Sequence, residues 1–276
     1  MTEKQLEKIK LTIKEKIEGV WEPRHDAFGH HYKHKDHEEI QDSVTTKLQI
    51  LNKPHLLKWS IRKGIEWLEV EDRWSRLSGY DREELLSGAQ SAYTDIRDDA
   101  GSVGTQAHDA IERYILDWIH TGKRVDDIKV YFKPESDPRA IASARGIEAL
   151  FKKKNIVPLA SEILVGHPKY SAGTLDFLCF WDGVLTMVDF KTSNQVDKNN
   201  YSMQVSGYIK FFTYMTKIRV PQAKIIHLSK DSDKYDVYRV VDINGAWKAF
   251  KAVCALYDWI NSRHDKCEKD INKIVI

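Results

Sequence analysis

Two aspartates and a lysine interrupt an otherwise apolar run, GTLDFLCFWDGVLTMVDFKTS, at residues 173–193: Asp176, Asp189 and Lys191. The dipeptide Asp182-Gly183 at its centre suits a two-residue hairpin loop, because both residue types tolerate positive φ. Trp181 then pairs with Val184, and counting back sets Asp176 opposite Asp189 and Thr174 opposite Lys191. Directly opposed residues have Cβ atoms about 5 Å apart, and residues i and i+2 share a face, so the charged side chains converge at one end of the hairpin. Opposed like charges repel, which a purely structural hairpin has little reason to accept. A divalent cation reverses the sign: Mg²⁺ or Mn²⁺ takes carboxylate oxygens and keeps waters, leaving positions for a phosphate oxygen and a nucleophile. An isolated D-x-K would read as a plain ion pair; the register and the apolar flanks favour the metal.

Other segments offer partners to this end of the hairpin. His108 and Glu112 in GSVGTQAHDAIERYI are i and i+4 on one helix face, either an exposed pair or an imidazole ligand with a neighbouring acid. Gln204 and Tyr208 in QVSGY share that spacing, beside an apolar stripe of Val205, Ile209 and Phe212. Gln204 is either a satisfied core amide or a donor directed at the site. Glu162, in the apolar stretch LASEILVG, is either a further ligand or base contact, or the solvent side of an edge strand.

The elements that must position these groups follow from periodicity. A helix is expected from about Asp98 to His120, ending at Gly122, and another from about Ala140 to Lys154. Three strand-like runs follow, LASEILVG, GTLDFLCFW and VLTMVDFKT, then a helix in NYSMQVSGYIKFFTYMTK, strands in AKIIHLS and YDVYRVV, and a last helix from about Ile243 to Ser262. Helix, three strands, helix, strand describes an α/β core around a mixed sheet. Residues 1–93 read as a mainly helical elaboration with a short β element, packed on a core of residues 94–276 and covering substrate there. Within it SVTTKLQIL reads as a strand or turn, and HLLKWSIRKGIEWLEVEDRW as a helix with Leu57, Ile61, Ile65 and Leu68 on its apolar face.

The whole chain has 276 residues, 42% hydrophobic, enough to bury a sizeable core, and a net charge of only +2, so any polyanion must be met by a local patch. Cys179, Cys254 and Cys267 lack metal or C-x-x-C spacing and read as inert thiols of a reducing compartment. No apolar run reaches the roughly 18 residues of a membrane span, and the Lys/Glu-rich opening is unlike a targeting peptide. A cytoplasmic protein without membrane partners is expected.

The series His108 in GTQAHDAIE, Glu162, GTLD ending at Asp176, DFK from Asp189 to Lys191, and Q-x-x-x-Y from Gln204 to Tyr208 resembles the RecB-like branch of the PD-(D/E)XK nuclease superfamily. The motifs span about Asp98 to Ser229, in the family's order, and resemble most the single-domain members found in phages. The resemblance implies a restriction-endonuclease-like αβββαβ core. It implies that His108, Asp176, Asp189 and the backbone carbonyl of Phe190, with Glu162 as a further candidate, hold one or two Mg²⁺ or Mn²⁺ ions. Lys191 would orient or help deprotonate the attacking water. Gln204 and Tyr208 would order the site and touch substrate, Thr192 and Ser193 would meet a phosphate, and Glu112 is a further candidate contact. The implied reaction is DNA phosphodiester hydrolysis, usually leaving a 5′ phosphate.

Some relatives carry a four-cysteine iron-sulfur cluster, for which this chain lacks the cysteines, and no Walker-type ATP site is present. The expected enzyme is an exonuclease on single strands or DNA ends, alongside a separate recombination or replication protein. The alternatives are a structure-specific or restriction-like endonuclease and a non-catalytic DNA-binding accessory protein. Outside the motifs, RHDAFGHHYKHKDH gathers His25, His30, His31, His34 and His37 and reads as a solvated segment meeting DNA in preference to a second metal site. Trp59, Trp67 and Trp74 interleave with Lys58, Arg62, Lys63 and Arg73, suited either to base stacking or to a helix core.

Overall fold

The computed structural model describes residues 3–26, 29–37, 40–51, 54–69 and 79–262. The chain opens with α1 (Glu3–Lys16) and a small antiparallel sheet of β1 (Trp21–Asp26), β2 (Gly29–His34) and β3 (Ile40–Asp42). This sheet is anchored by Trp21, whose indole fills the space that a Cβ on Gly166 would need. The histidine-rich segment is therefore a strand hairpin: His31 pairs with Asp42 at 2.8 Å and His34 packs edge-on against Trp21. The side chains of His25 and His30, and all of Arg73, Trp74 and Cys267, lie outside the described residues.

SVTTKLQIL, expected as a strand or turn, contains the short helix α2 (Val44–Leu48). Local capping outweighs its β-branched residues, since the Ser43 hydroxyl accepts from the Thr46 N–H at 2.9 Å. Next come α3 (Pro54–Glu69) and the long α4 (Gly79–Thr121). The helix expected from Asp98 thus starts at Gly79, and the expected division at residue 93 falls inside a continuous helix. Good helix formers such as Glu83, Glu84, Leu85 and Leu86 extend it, and α3 packs closely along it, with Trp67 over Gly88 and Gly64 against the Ala89 carbonyl. The row expected to be buried on α3 points outward instead: Leu57, Ile61 and Ile65 are 66%, 57% and 51% exposed. The glycine and tryptophan face of α3 meets α4, leaving only Leu68 of the expected stripe buried.

A 3₁₀ turn at Ile128–Tyr131 leads to α5 (Pro138–Lys153), with Asp137 as its cap. Then follow β4 (Ile156–His167), β5 (Ser171–Trp181), β6 (Val184–Lys191), α6 (Lys198–Thr216), β7 (Gln222–Leu228), β8 (Tyr235–Arg239) and α7 (Ile243–Asn261). The order from α5 to β7 is that read from the sequence. The sheet runs β4-β5-β6-β7-β8 and is antiparallel except between β6 and β7, where α6 supplies the crossover a parallel pair requires. Asp182 and Gly183 take φ of 49° and 81°, as a tight hairpin turn demands, and Trp181 pairs with Val184.

Both faces of the sheet are covered. Leu185 and Met187 of β6 pack with Leu178, Ile225 and Phe212 beneath α6 and α7. Val188 and Phe190 pack with Phe177, Ile226 and Phe151 beneath α4 and α5. Alternation assigns Asp189 and Lys191 to the α6 face, at the end of an otherwise apolar strand. Among the described residues no helix is long and apolar enough to cross a membrane.

These burials separate two substitutions. Phe177→Ala, at a fully buried position, should cost about 3–5 kcal/mol, whereas Ile61→Lys, on the outward row of α3, should stay within about 0.5 kcal/mol of the parent. Urea unfolding of the two variants measures both; a cost at Ile61 approaching that at Phe177 would contradict the observed orientation of α3.

Candidate functional site

The β5–β6 ladder runs from Trp181–Val184 to Phe177–Val188 and stops where Asp176 and Asp189 would pair. In place of a further backbone rung, Asp176 Oδ2 accepts from the Phe190 backbone N–H at 2.7 Å. Asp189 is 1% exposed, and apart from Lys191 its carboxylate oxygens have no polar partner among the described residues. The Lys191 ammonium lies 2.7 Å from Asp189 Oδ2, a close ion pair. On the other side of β5, the pairs Ser161–Phe177 and Ile163–Leu175 bracket Glu162 and Asp176, so these two acids also stand opposite each other. Glu162 has φ of 49°, the left-handed region, which a non-glycine residue adopts only at a cost of about 1–3 kcal/mol. Three adjacent strands thus each contribute a carboxyl group at one level of the sheet.

The electrostatics follow from that crowding. Burial raises the Asp189 and Asp176 carboxyls, opposed at both by Lys191. Burial likewise raises Glu162, and the charge of Asp176 adds to the effect. Burial works against the Lys191 charge, but Asp189 and Asp176 outweigh it and hold the ammonium above its ordinary pKa. His108 is lowered to about 4, first by burial and then by Lys191, so it is neutral at pH 7 with a ring nitrogen lone pair available.

Two helices close over this end of the sheet. A Cβ on Gly104 of α4 would lie 2.9 Å from Thr192 Oγ1, so glycine there permits the helix to approach the end of β6. His108, one turn on, sets its ring edge-on to Phe190 with centroids 6.4 Å apart. Glu112, a further turn along, adds to the repulsion at Glu162. On α6, Gln204 Nε2 donates to Tyr208 Oη at 3.3 Å, both side chains being buried, and the Tyr208 ring occupies the space beside Gly173. Burial raises the Tyr208 phenol, and Asp189 and Asp176 raise it further, which puts the Gln204–Tyr208 pair next to the two aspartates. Gln204 is accordingly a satisfied buried amide, bonded to a phenol that borders the acids.

A cleft of about 1180 Å³ opens above Lys191, lined by His108, Phe190, Lys191, Thr192 and Ser193 among the expected residues. Asp176, Asp189, Glu162, Glu112, Gln204 and Tyr208 are not part of that lining. The cleft walls add cations from separate elements: Lys58 and Arg62 on α3, Arg97 on α4, and Lys230 after β7. Asp109 and Asp197 also line it. Arg97, Lys230 and Tyr201 were not singled out by the sequence reading, although Tyr201 carries the Lys191 ammonium 5.1 Å from its ring centroid and meets Ser193 Oγ at 2.8 Å. For Arg97 a signal exists: Arg97, Gly101, Gly104 and His108 recur at helical spacing along one face of α4.

The donors suit a hard divalent cation: carboxylate oxygens, those of Asp189 buried with Lys191 as their partner, and a neutral imidazole. With Lys191 on Asp189 and the Phe190 amide on Asp176, no three His, Cys, Asp or Glu side chains among the described residues form a group ready to grip an ion. No protein-family model and no curated protein matches the chain.

The raised Glu162 carboxyl has a thermodynamic consequence. A group whose folded pKa exceeds its unfolded value contributes stability at low pH that is lost as the pH rises above the ordinary carboxylate range. Glu162→Gln, neutral throughout, should therefore raise the melting temperature at pH 8 by about 2–4 °C for each kcal/mol relieved, and change it far less at pH 5. Calorimetry in EDTA at the two pH values reads the difference; equal shifts at both would show that Glu162 is not desolvated.

Proposed function

We propose that the chain is a metal-dependent deoxyribonuclease with a restriction-endonuclease-like core of the PD-(D/E)XK type, acting as an exonuclease on single strands or DNA ends. The observation that carries this reading is Asp189: a buried carboxylate whose close partner is Lys191, beside Asp176 and behind the Lys191 and His108 side chains that line a cleft with cationic walls. The α5-β4-β5-β6-α6-β7 order supports it, as does a neutral His108 at the same end of the sheet.

In this reading Asp176, Asp189, His108 and the Phe190 carbonyl hold one or two Mg²⁺ or Mn²⁺ ions, with Glu162 as a further donor. The bound cation would polarise the phosphate and acidify the attacking water. Asp189 and Asp176 favour the charged form of Lys191, and as an ammonium its part would be to orient that water and stabilise charge building on the phosphoryl oxygens. Water adds to phosphorus, the bond to the 3′ oxygen breaks, and the departing oxygen takes a proton, leaving a 5′ phosphate. Thr192 and Ser193 offer hydroxyls to the phosphate from the cleft wall. Gln204 and Tyr208, bonded to each other, border the aspartates and would order the site. The exonuclease preference rests on α3 and α4, whose side chains wall the cleft: a walled site takes a free end or flexible strand more readily than the middle of a duplex with a persistence length of about 150 base pairs.

Asp176→Asn and Asp189→Asn should each abolish cleavage and keep the fold, with a raised melting temperature from relieved repulsion. Lys191→Ala should lose most turnover, on the order of 100-fold or more, yet still bind Mn²⁺ by calorimetry. End-labelled linear single strands should be shortened progressively while covalently closed circles resist. Full activity in either aspartate variant would overturn the site, and rapid nicking of circular duplex would make the enzyme an endonuclease.

A further inference from the structure

The upper wall of the cleft holds a feature that hydrolysis at Lys191 does not require. Trp59, on α3, lines the same cavity as Lys191, His108 and Thr192, yet belongs to an element outside the sheet that carries the acids. Its indole is braced by Tyr93 of α4, the two rings meeting edge to face with centroids 5.3 Å apart. Trp59 is partly exposed and forms part of the cavity lining. Cations outnumber the acids Asp109 and Asp197 in the lining. Lys58 and Arg62 lie on the same helix, Arg97 on α4, where it also pairs with Asp98 at 2.8 Å, and Lys230 after β7, its ammonium donating to the Ala100 carbonyl of α4. An aromatic surface fixed by a second ring, among cations presented by three separate segments, is the combination that takes an unpaired nucleotide, with the base against the ring and the phosphates against the cations. A merely structural tryptophan would have no need of the cations, and a merely electrostatic wall no need of the braced ring.

We propose that Trp59 is a base-stacking subsite for an unpaired nucleotide of the bound strand, with Lys58, Arg62, Arg97 and Lys230 holding the flanking phosphates. The proposal rests on the nucleic-acid reading of the cleft and specifies what that reading leaves open, the contact that distinguishes a strand with bases from a bare polyanion. Stacking does not depend on which base is present, because every base has a π face, so the subsite selects for single-strandedness and not for sequence. A paired base, already stacked between its neighbours, would have to leave the duplex to reach the ring.

The test uses the full chain in EDTA, so that binding is read without cleavage, and two fluorescent oligonucleotides of equal length: oligo(dT) and the same backbone made abasic throughout. Trp59→Ala should weaken oligo(dT) binding about tenfold and leave abasic binding within about twofold; Arg62→Ala should weaken both alike. Trp59→Leu keeps apolar bulk against Tyr93 and serves if the alanine variant melts early; it should show the same selective loss, with Trp59→Phe recovering most of it. Loss of affinity for both oligonucleotides in Trp59→Leu, or for neither, would overturn the stacking role while leaving the nucleic-acid reading intact. Failure of the parent protein to bind either oligonucleotide would remove both.

Discussion

The arrangement of this molecule depends on an excess of carboxyl groups crowded at the point where β5 and β6 part. Asp189, Asp176 and Glu162 stand on three neighbouring strands, and Lys191 is paired with Asp189. Removing carboxylates from water is costly unless a cation or proton compensates, and a single lysine does not satisfy all of their oxygens. The two apolar layers that enclose the sheet tolerate this crowding because they hold the strands in place regardless of it. The positive φ at Glu162 belongs to the same tension, at the rung where two of the acids face each other.

The helices around this point are shaped by closeness to it. Gly104 brings α4 against Thr192, and Gly173 leaves the space beside β5 to the Tyr208 ring. Both glycines have ordinary backbone angles; what they contribute is the missing side chain. α4 then carries His108 near the acids and Arg97 near α3, so the chemistry at the cleft floor and the cationic wall above it are borne by one helix.

Much of the sheet was legible from sequence because its signals are local. Asp182-Gly183 fixed the hairpin register, and the register set the relation between Asp176 and Asp189. What the register could not convey is that the ladder would open at that rung, since repulsion between two carboxyls and the competing bond from the Phe190 amide act across the chain. The arm of α3 and α4 was read less well. Leu57, Ile61 and Ile65 have the spacing of a buried stripe, yet Gly64 and Gly88 allowed another face of α3 to pack, and the size of Trp67 decided which. Lys230 follows β7 and reaches the cleft through the crossover of the chain, so no local pattern identified it.

The parting of β5 and β6 creates an internal edge in the sheet. Beyond Val188, β6 keeps its rungs to β7 at Asp189, Phe190 and Lys191, but on its other side the tie is the Asp176 side chain on the Phe190 amide. A side chain can exchange that amide for another partner without unzipping a backbone ladder. Whatever draws Asp176 away releases the final residues of β6 from one neighbour while β7 still holds them in line. Because the Phe190 ring is packed with Phe177 and Phe151, that tie also joins Asp176 to the apolar layer beneath α4 and α5.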